Sequence, residues 1–483
     1  MTPRLEILSP ETVGRVVEEA LEILEVHGVW VEHDEGRALL ANAGATTNAG
    51  RTLLHRDLVR AALKTAPHTI SFWDSAGEGE ITVGTGMSHF VPGSAALQLW
   101  DPDTHGPRLP RTSDLVDLAR LVEVLPHLSF QSTSMVASDV PEGVADRFRL
   151  LIALMFCRKP VITGTFAADA FAPMQAMLEA VRGGPDALRA KPLAVFDCCP
   201  SAPLSWSNLT TDALIRAARA GIPAELVSMP MAGATGPVTL VGCVVQHCAE
   251  SLAGVTMHQL ASPGAPIIYG GSPGIMDMRH GTTPMGAVET HLIDMGNAQV
   301  GRNLGLPTHA YMGLSDSAWP DYQAGAESVL GGVLAMLAGV GIVSGAGMLK
   351  FENRQSLEKL VLDHEFIGAI KRLFQGIEVR EDTLAIHLME PLISRGHLLD
   401  HTHTRAWLRK EHYFPGPAVE RRAEPPPDTE AGGAHGRART VVKKHLGAPV
   451  RCVQQPDVRG RLVAIMEAEF ARHGAALPVL PEV

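Results

Sequence analysis

From Ser88 onward the chain repeats one alternation: a short, continuous apolar run, a longer amphipathic stretch, then another apolar run. The runs are SHFVP (88–92), LSFQSTSMV (128–136), PVITGTF (160–166), PLAVFDCCP (192–200), PAELVSMPM (223–231), APIIYGGSP (265–273), THAYMGL (308–314) and VGIVSGAG (340–347). Most are apolar throughout rather than at alternate positions, the pattern of parallel strands covered on both faces. The segments between them, such as 113–125, 144–157, 169–182, 210–220, 237–261, 286–304 and 321–338, carry apolar residues at helical spacing. Eight strand–helix units over roughly 250 residues predict an α/β fold, a (β/α)8 TIM barrel. A doubly wound sheet is the rival. It falls behind because no Gly-rich dinucleotide turn follows a strand.

The flanks read differently. Residues 1–85 are expected to form an N-terminal helical extension, 86–378 the barrel, and 379–483 a C-terminal helical region. The stretch from Ser9 opens with Ser9-Pro10-Glu11, an N-cap and first helical turn, and Gly28 stops it. Residues 416–440 are Pro/Gly-rich and charged and predict a linker or mobile loop, followed by a last helix near 456–473.

Of 483 residues, 46% are hydrophobic and only 19% charged, and the net charge is −11. With no long basic run, nucleic acid and anionic membranes are poor partners. Six cysteines form no CxxC pair, and the N-terminus lacks a signal-peptide pattern, so reduced thiols and a cytoplasmic location are expected. SVLGGVLAMLAGVGIVSGAGML comes closest to membrane-spanning length and reads as a buried helix followed by a strand. Cys198-Cys199, His280, His291 with Asp294, and His401 with His403 have no recognised metal spacing, so no metal is expected.

A barrel of this kind builds its site at the carboxyl ends of its strands. That rule selects Gly164-Thr165, Asp197-Cys198-Cys199, Ser228 to Pro230, Tyr269 to Ser272, Tyr311 to Asp321 and Ser344 to Glu352. Within GLSDSAWPDYQAGAE (313–327), the acceptors Asp316, Gln323 and Glu327 and the aromatic Trp319 follow the seventh strand. Asp316 and Ser317 also suit a helix cap, and Asp321 suits a second one. Little Lys or Arg lies near the strand ends, which disfavours a phosphate substrate. Phe196, Tyr269, Tyr311, Trp319 and Phe351 lie at or just past strand ends, although Phe196 and Tyr269 also suit barrel core. Aromatics with carboxylates and no counter-cation suit a quaternary or tertiary ammonium ligand. Lys350, after the eighth strand, stands where a Schiff-base lysine can sit, although a loop lysine is the plainer reading.

The run PMAGATGPVTLVGCVVQHCAESLAGVTMHQLASPGAPIIYG (230–270) resembles the trimethylamine methyltransferase family. So do Asp316, Ser317, Asp321, Gln323 and Glu327 as a spaced block, SLEKLVLDHE (356–365), GHLLDHTHTRAWLRKEHYFP (396–415), LWDPDTHGPRLPRTSDLVDLARL (99–121) and RKPVITGT (158–165). The resemblance implies a barrel enzyme that passes a methyl group from a methylated amine to the cobalt of a separate corrinoid protein docked over the mouth. The chain carries no pyrrolysine, which places it with the non-pyrrolysine branch, whose members act on quaternary amines such as glycine betaine.

A quaternary ammonium is already activated, since loss of methyl releases a neutral tertiary amine. Positioning then suffices, without a general base. On this reading Asp316, Gln323 and Glu327 are the catalytic candidates, with Asp316 and Gln323 orienting the cation or structuring the mouth and Glu327 bracing the loop. Tyr311, Trp319, Tyr269, Phe196 and Phe351 wall the ligand. Ala318 stands where relatives often have lysine, so either Arg279 or His280 would serve an anionic end of the substrate, or the substrate has none. The corrinoid is carried by the partner protein and not held permanently, and a homo-oligomer is expected. The alternatives are a non-catalytic betaine-binding relative, as sensor or scaffold, and a Schiff-base lyase through Lys350.

Overall fold

A computed structural model describes residues 3–424 and 433–481. Eight strands, each followed by a helix, run from His89 to Gln375. They are β1 (His89–Pro92) with α1 (Thr112–Glu123), β2 (Gln131–Ser132) with α2 (Ala145–Phe156), β3 (Val161–Gly164) with α3 (Phe171–Arg182), and β4 (Ala194–Cys198) with α4 (Asn208–Ala220). Then come β5 (Ala224–Ser228) with α5 (Leu240–Ala261), β6 (Ile267–Gly271) with α6 (Val288–Asn303), β7 (His309–Ala310) with α7 (Tyr322–Ala338), and β8 (Ile342–Ala346) with α8 (Leu357–Gln375). Strands β2 to β6 form one parallel ladder, and β7, β8 and β1 another. The bridges Phe90–Leu128 and Tyr269–Thr308 join the two ladders into a closed barrel. Every one of the eight predicted runs contains a strand, and the (β/α)8 expectation holds.

Side chains two residues apart share a face of a strand. Val91, Phe130, Ile162, Val195, Ile268 and Ile342 form a buried cluster inside the barrel, and Ile70, Phe72 and Val83 complete it. Those last three belong to the hairpin Ile70–Phe72/Ile81–Val83, which plugs the amino-terminal end. Residues 1–85 are therefore not purely helical. Besides the helices Pro10–Val26, Asp34–Asn42 and Arg56–Leu63 they hold this hairpin and a second, Thr46–Asn48/Arg51–Leu53. The second turns on Ala49 and Gly50, with φ of 46° and 80°, the two-residue turn whose twist matches antiparallel strands. Ser9 caps the first helix, its Oγ accepting from Thr12 N at 3.1 Å.

The C-terminal region carries the helices Ile386–Arg395, Thr402–Glu411 and Pro456–Arg472, the last where it was expected. The predicted linker 416–440 is corrected in part. Residues 425–432 lie outside the described residues, but a helix, Gly433–Leu446, begins within the segment. It packs on α8 and α1 and buries Ala438 and Val442, so a tertiary surface stabilises a helix that composition argued against. Stretch 328–349 is the end of α7 followed by β8, as read. Helix α5 is long and apolar enough to cross a membrane, and 83% of its most apolar window is buried in the molecule.

Candidate active site

The ladder pairs Gly164 with Asp197, Asp197 with Glu225, and Glu225 with Ile268. Asp197 shares the inner face of Val195, and Glu225 stands beside it on the next strand. Two carboxylates thus project into the barrel above its apolar floor. Two strands further round, His309, at the start of β7, brings Nδ1 against Glu225 Oε1, without the alignment of a hydrogen bond. His309 Nε2 lies 2.7 Å from Ser344 Oγ of β8. The Tyr311 ring stands edge-on to His309, centroids 4.8 Å apart. Glu352, past β8, accepts from Ser94 N at 3.2 Å.

This cluster is acidic and poorly compensated. Glu225 is fully buried with neither oxygen hydrogen-bonded, and Asp197 Oδ1 is buried without a partner. Burial, then the charge of Glu225, pushes Asp197 well above the usual carboxylate range, and burial alone does the same to Glu225. Burial pushes Glu352 up to about 8 and lowers His309 to about 4. Burial thus favours the protonated form of these acids, and positive charge entering the interior favours their ionised form. Tyr311, raised by burial and then by Asp197, Glu352 and Glu225, keeps its hydroxyl proton.

A strained turn delivers Glu352. Lys350, Phe351 and Glu352 all have positive φ, at 52°, 54° and 65°. Three successive non-glycine residues in this region are uncommon, and such strain gathers at functional sites. The turn is pinned by Lys350 N donating to Ser317 O at 2.8 Å and Asn353 N donating to Lys350 O at 3.0 Å. Phe351 is half-buried on this turn beside Glu352.

The 313–327 stretch braces the mouth. Asp316 does not cap its own helix: its two oxygens accept from Met285 N at 2.8 Å and Gly286 N at 2.9 Å, holding the loop before α6. Glu327 accepts from Ser315 Oγ at 2.5 Å, Asp316 N at 2.8 Å and Gln323 Nε2 at 2.8 Å. Asp321 caps α7, accepting from Ala324 N at 3.0 Å. Gln323 itself is exposed. Trp319 is 52% exposed on the rim, edge-on to Trp100 at 5.1 Å.

Two binding candidates are corrected. Phe196 points outward onto Phe171 of α3, with centroids 4.8 Å apart, and Tyr269 points outward to His247 of α5, 3.2 Å from its Nδ1. Both occupy the opposite strand parity from Val195 and Ile268, so they are packing between strand and helix. His280 lies on an exposed loop, 3.1 Å from Asp277, and Arg279 makes two hydrogen bonds to the same carboxylate. Among the described residues the one grouping with metal-ligand spacing is Asp169, Glu469 and His473, and Arg147 and Arg472 already pair with its carboxylates.

Glu225 and His309 were missed from the sequence, and Asp197, Ser344 and Glu352 were selected as strand ends but not retained. A signal existed: an acid inside the apolar run PAELVS is out of place in a strand covered on both faces.

Asp316 yields a pH prediction. Burial raises it to about 6 against the pull of its two N–H bonds, with Glu327 adding repulsion. The folded protein holds this proton more tightly than the unfolded chain. The group's stabilisation is therefore full below its unfolded pKa near 4 and is lost as pH rises through about 6. Asp316→Asn lacks this titration, so the wild-type Tm should fall relative to the variant's between pH 4.5 and 7.5 in paired thermal scans. A constant difference would mean that Asp316 titrates like a surface acid.

A closed parallel barrel with ionisable side chains gathered toward the carboxyl ends of its strands defines a TIM-barrel enzyme site. Residues 1–472 match the model of the family described as trimethylamine methyltransferase (MTTB). A trimethylamine methyltransferase MttB of Desulfitobacterium hafniense is 31% identical over 405 residues, 83% of this chain and 82% of the relative. A glycine betaine methyltransferase of the same species is 29% identical over 418 residues, 86% and 87% of the two chains. The Methanosarcina barkeri monomethylamine methyltransferase MtmB superposes with a TM-score of 0.47 at 10% identity, over 90% of this chain and 94% of that one. The chain belongs to the trimethylamine methyltransferase family and is a methyltransferase. Membership sets aside the Schiff-base lyase reading of Lys350.

Proposed function

We propose that this enzyme takes a methyl group from a quaternary methylated ammonium and passes it to the cobalt of a corrinoid carried by a separate protein. The observation that carries the reading is the acidic barrel interior, Asp197, Glu225 and Glu352 around Tyr311, with no lysine among them. The relatives' names, trimethylamine and glycine betaine methyltransferase, support the methylated-amine class.

In this scheme the acids and the Tyr311 ring hold the cation by charge and by cation–π attraction. The reduced cobalt supplies the nucleophile. The donor's positive charge falls as its methyl leaves, so no side chain must deliver a proton. The product is a neutral tertiary amine, which the acids no longer hold, and this favours its release. Asp316 and Glu327 keep the rim in shape, a positioning role. Exposed apolar side chains at the ends of several strand–helix loops, Phe166, Met229, Val238, Met278, Trp319 and Tyr322, suit a protein partner laid over the mouth.

The test is spectroscopic. The protein is mixed with reduced free cobalamin and, in turn, glycine betaine, carnitine, choline, proline betaine, dimethylglycine and trimethylamine. The expected result is loss of the cob(I)alamin band and growth of methylcobalamin with a quaternary member. Methylation by trimethylamine alone would overturn the quaternary assignment. Silence across the panel, with no binding by calorimetry, would overturn the substrate class.

A further inference from the structure

A cleft of about 740 Å³ opens between the carboxyl end of α8 and the segment 408–414. His127, just before β2, also lines it. Barrel helices return the chain to the amino ends of the strands, so the cleft lies at the end of the barrel away from the mouth. Its size is that of a small-molecule site. The lining is cationic: Lys371, Arg372, Arg409, Lys410, His127 and His412 face it, and no carboxylate does. Such a gathering is unexpected in a chain of net charge −11.

Most of these cations stand apart from acids. Among the described residues Lys371 Nζ donates only to His127 O, at 2.8 Å. Arg409 and Lys410 are exposed, and neither pairs with a carboxylate among the described residues; Lys410 stands 4.5 Å from the Trp407 ring centroid instead. Arg372 alone approaches an acid, Glu411 at 3.7 Å, and Glu411 is shared with Arg380. The rings of His127 and buried His364 stack with centroids 4.7 Å apart, and among the described residues both His364 nitrogens lack a hydrogen-bond partner. Burial, then the charge of Lys159, lowers Lys371 to about 8. Cations crowded in this way repel one another, and a bound anion relieves the repulsion.

The cleft is also aromatic. The Tyr413 hydroxyl donates to Glu365 O at 2.9 Å, which fixes its ring, and Phe414 is 60% exposed. Helix α8 meets Tyr413 and His127 with Gly368, where a Cβ would stand 2.3 Å from Tyr413 Oη and 2.5 Å from His127 Nε2. The glycine lets both rings close on the helix. A methylated ammonium is a cation, which this cleft repels, so the cleft serves something other than the methyl donor. We infer that it is a second ligand site, for a nucleoside phosphate, with the phosphates against Lys371, Arg372, Arg409 and Lys410 and the base against Tyr413 and Phe414. Arginine meets phosphate oxygens through paired hydrogen bonds, and a base stacks on an aromatic side chain. Four Lys and Arg side chains exceed what a single carboxylate needs, and the aromatic side chains exceed what an inorganic anion needs.

Calorimetric titration of the full-length protein with ATP, AMP and pyrophosphate, at low salt and without magnesium, tests this. ATP should bind at one site per chain with a Kd of about 100 µM or tighter. AMP, with fewer charges, and pyrophosphate, with no base, should each bind about tenfold more weakly. The double variant Arg409→Gln, Lys410→Gln alters two exposed side chains and should weaken ATP by roughly 30-fold. Lys443→Gln with Lys444→Gln, the same change of net charge on the exposed side of the helix Gly433–Leu446, should leave ATP within about twofold. Equal loss in the two double variants would show attraction by net charge alone and overturn the site. So would an absence of ATP binding by wild type. Pyrophosphate binding as tightly as ATP would overturn the nucleoside assignment. The methyl-transfer reading stands or falls separately, since none of these titrations uses a methyl donor.

Discussion

Glu225→Gln should raise KM for the methylated-ammonium donor by about 100-fold while kcat changes by less than about tenfold, because a buried charge facing a bound cation contributes roughly 3 kcal/mol. The split follows from where the charge acts. The donor is most cationic in the ground state, and its charge falls as the methyl leaves. An acid at this place therefore contributes to capture and alignment more than to the chemical step. The same substitution should change stability in the other direction. Glu225 is fully buried with neither oxygen hydrogen-bonded, and its carboxyl is raised well above the usual range. A group raised in this way stabilises the fold at low pH and loses that contribution as pH rises through its folded pKa. Glutamine mimics the protonated acid, so the variant's Tm should match wild type near pH 5 and exceed it near pH 8. A variant that loses affinity and stability together would show that Glu225 is structural. Asp197→Asn should act in the same sense but more weakly, since Asp197 is partly accessible.

Gly331→Ala should destabilise the enzyme, although helix propensity argues the reverse. Gly331 lies within α7, where alanine is favoured over glycine by about 1 kcal/mol in isolation. A Cβ at this position, however, would stand 1.9 Å from the Met312 carbonyl oxygen and 3.2 Å from the ring of His291. The contact is with backbone, which cannot swing aside, so helix and strand end must separate. That overpacking costs roughly 3 kcal/mol or more and outweighs the propensity gain. Met312 is next to Tyr311, so the movement reaches the site. A lowered Tm together with weaker donor binding is the expected pair of readings. An unchanged or raised Tm would show that α7 can slide outward freely.

Much of this enzyme could be read before folding. Continuous apolar runs such as APIIYGG and VGIVSGA admit few arrangements other than parallel strands buried on both faces, and the helices between them dictate the crossovers. The strand-end rule placed attention on 313–327, and Glu327 does brace that loop. Asp316 was legible as an acceptor, but its partners, Met285 N and Gly286 N, lie about thirty residues away and follow a different strand. No local pattern announces such a bond.

The parity of Phe196 and Tyr269 was likewise hidden. In a strand that is apolar on both faces, nothing in the residue order says which face is the barrel's interior, and a shift of one residue exchanges the two. The sequence by itself determined the strand count, the order of strand and helix, and the mouth as the place for chemistry, because each follows from periodicity and from which groups can be left in water. Only the tertiary structure decided that Asp197, Glu225, His309, Tyr311 and Glu352 meet. Barrel closure and strand register bring residues from four different strand–helix units within reach of one another, and those distances are properties of the closed sheet rather than of any segment.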